Sequence, residues 1–530
     1  MINFVGDTTK RSSGSFFLVV KRHTAYKSSS KPSTMKLLLV QFFLYFASFW
    51  VTRAGASDWT PLGDDFRLSR RFYLSRDGSR VGRYYFQQFN NTERSTTLEV
   101  YEWTGAVWNL VGEPIEFGDV SFNFRISGDG NRIVCGTRGE FVCVYGYSAQ
   151  DNQWQQVGQD ILPSQDVLDL EFRSFPSSLA VSHTGDRFAF SFAPEIRLQG
   201  SAITFDQMFG IGRVWIYELD STSGTWEVVG DGEPLRDENS PWFGANLEST
   251  YVFLTQAKQA AFVWAPPAIL SHSYLLILIC YTVSGDGSRL AIGQGKAIQN
   301  SEGRNQISLT WRVYESGPTP SSPWLSIGAE SLDSYGILDA ASLSFDGSMV
   351  AFGTRCAAFD LILLDICVGD VGKARVLQYN DGTWTQLGQE LVGTAGGDGF
   401  GEVSLSGDGT RLAVGADGDA LEYPPDDFDV VGSVSTFEFD PRTLVWVQDG
   451  ELLEAEGEES FGERVSLSLD GSRLGVEFGD GARVYVRSLS LVPTVVSTTE
   501  PPTNQPTSAA ALVVLHCFAT LVATALIASN

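Results

Sequence analysis

The chain has 530 residues, of which 43% are apolar and 12% aromatic, with 54 glycines and 13 tryptophans, a composition too apolar for a disordered chain. Its 37 basic and 63 acidic side chains leave a net charge of −26. Residues 1–56 hold eight Lys/Arg against Asp7 alone, so the remainder carries 29 basic against 62 acidic groups; with only Lys258, Lys296 and Lys373 as lysines, that body has no basic stripe, which excludes a nucleic-acid partner and direct contact with anionic lipid.

Residues 1–34 form a basic leader upstream of Met35, which reads as the true start. Residues 35–56 read as a signal peptide: the apolar run Leu37 to Val51 is followed by the small residues Ala54-Gly55-Ala56. A type II signal anchor is the alternative, although 15 residues is short for a span.

From residue 57 to 488 one phrase recurs. S-x-D-G-x-R with apolar flanks stands at Ser75, Ser127, Ser284, Ser406 and Ser468, and eroded copies stand at Ser182 and Ser344. W-x-x-x-G occurs seven times in step with it, at Trp59, Trp108, Trp154, Trp226, Trp324, Trp384 and Trp446. Seven alternating segments such as LEVYEW and RVWIYEL lie between. In VSLSGDGTRLAVG the apolar residues alternate on both sides of Asp408-Gly409, which predicts a hairpin with a two-residue type I′ turn. The same turn is expected at Asp77-Gly78, Asp129-Gly130, Asp286-Gly287, Asp346-Gly347 and Asp470-Gly471. A structural role for the Ser, Asp and Arg of the phrase, with Arg pairing to Asp across the hairpin, outweighs a catalytic one, because an active site is seldom repeated seven times. Each unit supplies four antiparallel strands, and units of this kind bury both sheet faces only by stacking around an axis. The fold class is therefore all-β, a seven-bladed β-propeller. The body begins with a W-x-x-x-G strand and ends with ARVYVR, so the strand at Trp59 is expected to close the last blade beside Ala482 to Arg487.

The units resemble FG-GAP-like and WD-type β-propeller repeats, Phe243-Gly244, Phe400-Gly401 and Phe461-Gly462 standing before the hairpin as FG does in the former. Calcium loops of FG-GAP units carry D-x-D-x-D-G, of which only the terminal Asp-Gly remains here, at Asp408-Gly409 and Asp470-Gly471. Propeller sialidases also bear Asp-containing hairpins, but theirs end in an aromatic where Arg and Leu follow here.

Residues 248–281 interrupt the pattern. Removing them joins Phe243–Leu247 to Thr282-Val283 in register with FGERVSLSLDG at Phe461, as expected of a retained intron or an insertion. Four of the six cysteines fall into two close pairs, Cys135 with Cys143 and Cys356 with Cys367, expected as disulfides of a secreted protein. Asn90 begins a glycosylation sequon. Residues 489–508 form a Thr/Pro/Ser-rich stalk, and the apolar tail 509–530 reads as a GPI-attachment signal with Ser497 as the candidate site, or as a single-pass span. The acidic loop Asp417 to Asp429 offers Asp417, Asp419, Asp426, Asp427 and Asp429 as weak calcium ligands; no other cofactor is expected. Four histidines in the chain leave little for acid-base chemistry. The expected function is non-catalytic presentation of loops to an extracellular protein or glycan at the outer cell surface, with membrane contact through the tail only. A glycan hydrolase or a structural wall protein is the alternative.

Overall fold

The computed structural model describes residues 58–488 with interruptions, the longest being 194–212, 236–280 and 419–431. The leader, signal peptide, stalk and tail, including Ser497, lie outside the described residues, as do Asn90 and Phe243-Gly244. The described residues form strands and turns, with no helix among them. Seven antiparallel sheets follow one another, each with a path of four strands. Blade 1 is Arg71–Leu74, Arg80–Gln88, Arg94–Trp103 and Trp108–Leu110, and blade 2 is Phe122–Ile126, Arg132–Thr137, Val142–Ser148 and Gln153–Gln156. Blades 3 to 6 repeat that order with innermost strands Ser174–Val181, Tyr281–Val283, Ile337–Leu343 and Phe400–Leu405. Tyr281, the last residue of the interrupting segment, stands in the innermost strand of blade 4 opposite Ile292. Blade 7 takes Val465–Leu467, Arg473–Phe478 and Gly481–Ser488 from the end of the chain, and Asp58–Pro61 adds as its fourth strand with Trp59 opposite Arg487 and Pro61 opposite Tyr485.

The two sequence marks have different mechanical roles. In W-x-x-x-G the glycine receives the indole of the next blade: at Gly158 (φ +72°) an added Cβ would stand 2.6 Å from Trp226, so both the left-handed backbone and the close approach require glycine. The indole N–H then donates to the carbonyl preceding that glycine, from Trp108 to Leu62 at 2.8 Å, Trp154 to Val111 at 2.8 Å, Trp226 to Val157 at 2.7 Å, Trp384 to Ile327 at 3.1 Å and Trp446 to Leu387 at 2.8 Å. Apolar burial and a satisfied indole donor thus join neighbouring blades at once. FG has an equivalent place. The Gly401 carbonyl lies against Gly353 in the second strand of blade 5, and the Gly462 carbonyl against Gly415 in blade 6.

The hairpin turn differs from the two-residue type I′ expected at the Asp-Gly pairs. Only the glycine has positive φ, between 66° and 74° at Gly78, Gly130, Gly287, Gly347, Gly409 and Gly471. The turn proper runs from Ser75 to Gly78, whose amide donates to the Ser75 carbonyl at 2.8 Å. Ser75 Oγ donates to Asp77 and accepts the Arg80 amide at 2.9 Å. The serine side chain thus closes a longer loop and Asp needs no strained backbone. Arg does not pair with Asp across the hairpin either. In four blades it meets a glutamate opposite it on the third strand, Arg80 with Glu102, Arg187 with Glu218, Arg289 with Glu315 and Arg411 with Glu438, whereas Arg132 stands opposite Gly146 and Arg473 opposite Val486. It also reaches the next blade's turn, as Arg289 does to the Gly347 carbonyl at 3.1 Å. The Asp carboxylate is occupied instead by the serine hydroxyl and by the residue after the glycine.

Candidate functional site: the central channel and the loop face

At one end of the ring the seven turns are laced together by backbone hydrogen bonds. The donors and acceptors run from Asp77 to Gly128, Asp129 to His183, His183 to Gly285, Asp286 to Phe345, Phe345 to Gly407, Gly407 to Leu469, and Leu469 back to Arg76. Every bond joins one blade to its successor, and the last joins blade 7 to blade 1.

The residue between Ser and the turn Asp decides what fills this end. Around the ring it reads Arg76, Gly128, His183, Gly285, Phe345, Gly407, Leu469. A Cβ added at Gly128 would stand 2.3 Å from His183, one at Gly285 2.3 Å from Phe345 and one at Gly407 2.8 Å from Leu469. Each glycine therefore makes room for the next blade's bulky side chain. Arg76 reaches across the channel, donating from Nη2 to the Leu343 and Leu405 carbonyls at 3.1 Å each. Burial pushes its guanidinium down to about 10, and its Nε has no hydrogen-bond acceptor. His183 packs edge-on to Phe345 with ring centroids 5.5 Å apart. It is the one histidine among the described residues, held as a turn and packing residue with no nucleophile or carboxylate in hydrogen-bonding contact with Nδ1.

Farther along the channel stand three more arginines. Arg71 begins the innermost strand of blade 1, Arg464 immediately precedes that of blade 7, and Arg125 lies within that of blade 2. Between them is Glu477, 6% exposed, whose carboxylate accepts the Phe72 amide and lies 3.3 Å from Arg464 Nε. Burial drives Glu477 above the ordinary carboxylate range against the pull of Arg464, Arg71 and Arg125. Arg71 Nη1 stands 3.7 Å from Glu463, and Arg125 donates to the Tyr73 hydroxyl with its guanidinium carbon 4.2 Å from that ring. The three arginines come from separate blades, 1, 2 and 7, and belong to no motif, so sequence reading missed them. Their one signal was arginine four residues before the turn serine in blades 7 and 1, where blade 5 has Ala340 and blade 6 Glu402.

The opposite end has another character. Antiparallel order sends every second-to-third connection and every fourth-to-first connection to the face away from the turns. There the described strands end at Ala193 and resume at Arg213, and end at Ala416 and resume at Ser433. Short turns close the hairpin face except in blade 4, where residues 316–324 join the third and fourth strands. The acidic loop leaves from the loop face: Asp417 is buried, its carboxylate against Gly399, while Asp419, Asp426, Asp427 and Asp429 lie outside the described residues. Among the described residues no group of three His, Cys, Asp or Glu is placed to hold a metal. Cys135 and Cys143 face each other in register on the second and third strands of blade 2 and form a buried disulfide. Cys356 ends the second strand of blade 5, and its expected partner Cys367 lies outside the described residues.

No family model and no curated protein matches this chain. Solved structures similar to it include the C-terminal WD40 domain of Sif2, at 11% identity and TM-score 0.39 over 81% of this chain and 99% of that one. The β-propeller domain of Cps50 (Swd1) from Myceliophteria thermophila gives 11% and 0.41 over 81% and 98%. A putative 6-phosphogluconolactonase from Bacteroides fragilis gives 13% and 0.40 over 76% and 88%.

Proposed function

We propose that this protein is a non-catalytic, cell-surface β-propeller whose loop face binds an extracellular protein or glycan. The observation that carries the reading is the inequality of the two ends. One is closed by seven laced turns and filled by Arg76, His183, Phe345 and Leu469, and the other receives the longest connections, after Ala193, Cys356 and Ala416. Loops of variable length on a rigid scaffold are where binding specificity is built. The apolar segment ahead of the body, the Thr/Pro/Ser-rich stalk, the apolar tail and the buried Cys135–Cys143 disulfide support export and anchoring.

The test is to display the chain on eukaryotic cells, release it with phosphatidylinositol-specific phospholipase C, and probe glycan and cell-surface protein arrays. Release followed by saturable capture without product formation is expected. Turnover of a glycan, or retention of the chain in the cytosol, overturns the reading.

A further inference from the structure

We propose that Thr319 is an O-glycosylation site, the acceptor of a sugar transferred from a glycosyl phosphate donor. The proposal rests on the export reading above and adds to it a modification on the turn face.

The first argument is the connection that carries Thr319. In the other blades the third and fourth strands are joined by residues 104–107, 149–152, 221–224, 381–382 and 441–444, whereas residues 316–324 join them in blade 4. The sequence there is SGPTPSSPW, hydroxyl residues interleaved with proline as in the stalk, and that is the composition of O-glycosylated segments in exported chains. Pro318, Thr319, Pro320, Ser321 and Pro323 are exposed, yet the connection is held in place. The Ser322 amide donates to the Thr319 carbonyl at 2.9 Å, closing a β-turn with Pro320 at its second position. Gly317 lets the chain fold back on that turn, since an added Cβ would stand 2.2 Å from Ser322. The Pro320 carbonyl accepts the Gly230 amide at 2.8 Å and so ties the connection to blade 3. In the other six seams a tryptophan indole donates to the neighbouring blade. The indole N–H of Trp324, 7% exposed, has no acceptor, and the Pro320 carbonyl supplies the blade contact instead.

The second argument is which hydroxyl receives the sugar. Thr319 stands between two prolines, and Pro320 biases it to an extended backbone. Ser322 is half-buried and committed to the turn, its Oγ accepting the Thr319 amide at 3.3 Å. Thr319 Oγ1 lies 2.7 Å from that oxygen and 3.4 Å from Ser321 Oγ. In the transfer, Thr319 Oγ1 bonds to the anomeric carbon of the sugar. The bond from that carbon to the donor's phosphate oxygen breaks, its electron pair leaving on the phosphate, and the hydroxyl proton passes to a base of the transferase. The new ether oxygen keeps its lone pairs, so the Ser322 hydroxyl donates to it and the turn survives. Charge favours a sugar over a phosphoryl group at the same hydroxyl: a phosphoryl group adds about −2 to a chain already at −26, and a neutral sugar adds none.

The experiment is peptide mapping of the full chain displayed on eukaryotic cells. Cleavage after Glu315 and Glu330 releases the connection as one peptide, separate from the stalk, and electron-transfer fragmentation assigns the modified residue. A hexose or N-acetylhexosamine on Thr319, with Ser322 and Ser326 bare, is expected, and its mass identifies the class of donor. Thr319→Val loses the modification, Thr319→Ser keeps it, and Ser321→Ala leaves Thr319 modified; thermal melting establishes that each variant folds. A bare peptide from chain captured at the cell surface overturns the site alone. Sugar on Ser321 or Ser322 with Thr319 bare overturns it as well. A chain held in the cytosol, bare or phosphorylated at Thr319, overturns both the site and the export reading, whereas a sugar on Thr319 of a cytosolic chain supports the site and contradicts export.

Discussion

Deleting residues 57–64 removes the fourth strand of blade 7 and weakens the closure of the ring, leaving the Phe66–Ala482 pairing and the turn lacing to hold blade 7 to blade 1. The loss is estimated from the contacts. Trp59 is 8% exposed and its indole N–H donates to Thr436 Oγ1 at 3.0 Å; removing a buried tryptophan costs about 3–5 kcal/mol. The ladder from Asp58–Ser488 to Pro61–Tyr485, with the Leu62 amide on the Val484 carbonyl at 2.7 Å, adds a few hydrogen bonds at about 1 kcal/mol each. Together the deletion costs about 6–8 kcal/mol. A body of this size has an unfolding entropy on the order of 0.9 kcal/mol/K, so scanning calorimetry is expected to record a fall of roughly 7–9 °C. Trp59→Ala alone is expected to produce about half of it. The freed edge at Val484 and Val486 is also expected to promote association above the native level, read by light scattering. A melting temperature within about 1 °C of the intact chain would refute the pairing as the clasp of the ring.

Gly353→Ala is expected to be among the most damaging single changes, at about 3 kcal/mol or more by chemical denaturation, because its Cβ would meet the Gly401 carbonyl at 1.6 Å and backbone cannot step aside as a side chain can. Acid sensitivity follows from the turns: burial works against Asp129, Asp346, Asp408 and Asp470, yet hydrogen bonds from the preceding serine and the residue after the glycine hold all four below the ordinary range. Their stabilisation is full above the unfolded value near about 4 and is lost as pH falls through the lower folded values, so the melting temperature is expected to drop below about pH 4, less steeply in Asp408→Asn. Cys135→Ser with Cys143→Ser is expected to lower stability by about 2–3 kcal/mol, measured by denaturant titration, and dithiothreitol is expected to leave the folded native protein unchanged because both sulfurs are buried.

The number of blades, the order of strands and the places of tryptophan were legible because each recurs seven times and follows from strand periodicity and turn chemistry alone. The turn type was misread because Asp-Gly is judged by local φ preference, whereas Ser75 Oγ, taking the Arg80 amide, supports a longer loop. The partner of the turn arginine was misassigned for a related reason: the nearest acid in sequence is Asp, but in four blades the residue opposite in register is a glutamate of the third strand. That signal was present, since blade 5 has Met349 in place of Arg and Gln378 opposite it. The channel arginines carry no pattern along the chain, because only closure of the ring brings blade 7 beside blades 1 and 2.

The claim that one face binds and the other only closes is tested most directly by mapping capture of the array ligand onto the two faces. Replacing residues 419–429 and substituting Arg464→Gln alter the loop face, while Arg442→Ala and Asp77→Asn alter the turn face. Capture by the turn-face variants at native strength, with at least about tenfold weaker capture by the loop-face variants, is the predicted result. Weakened capture by the turn-face variants, with loop-face variants binding as the native protein does, would contradict the account.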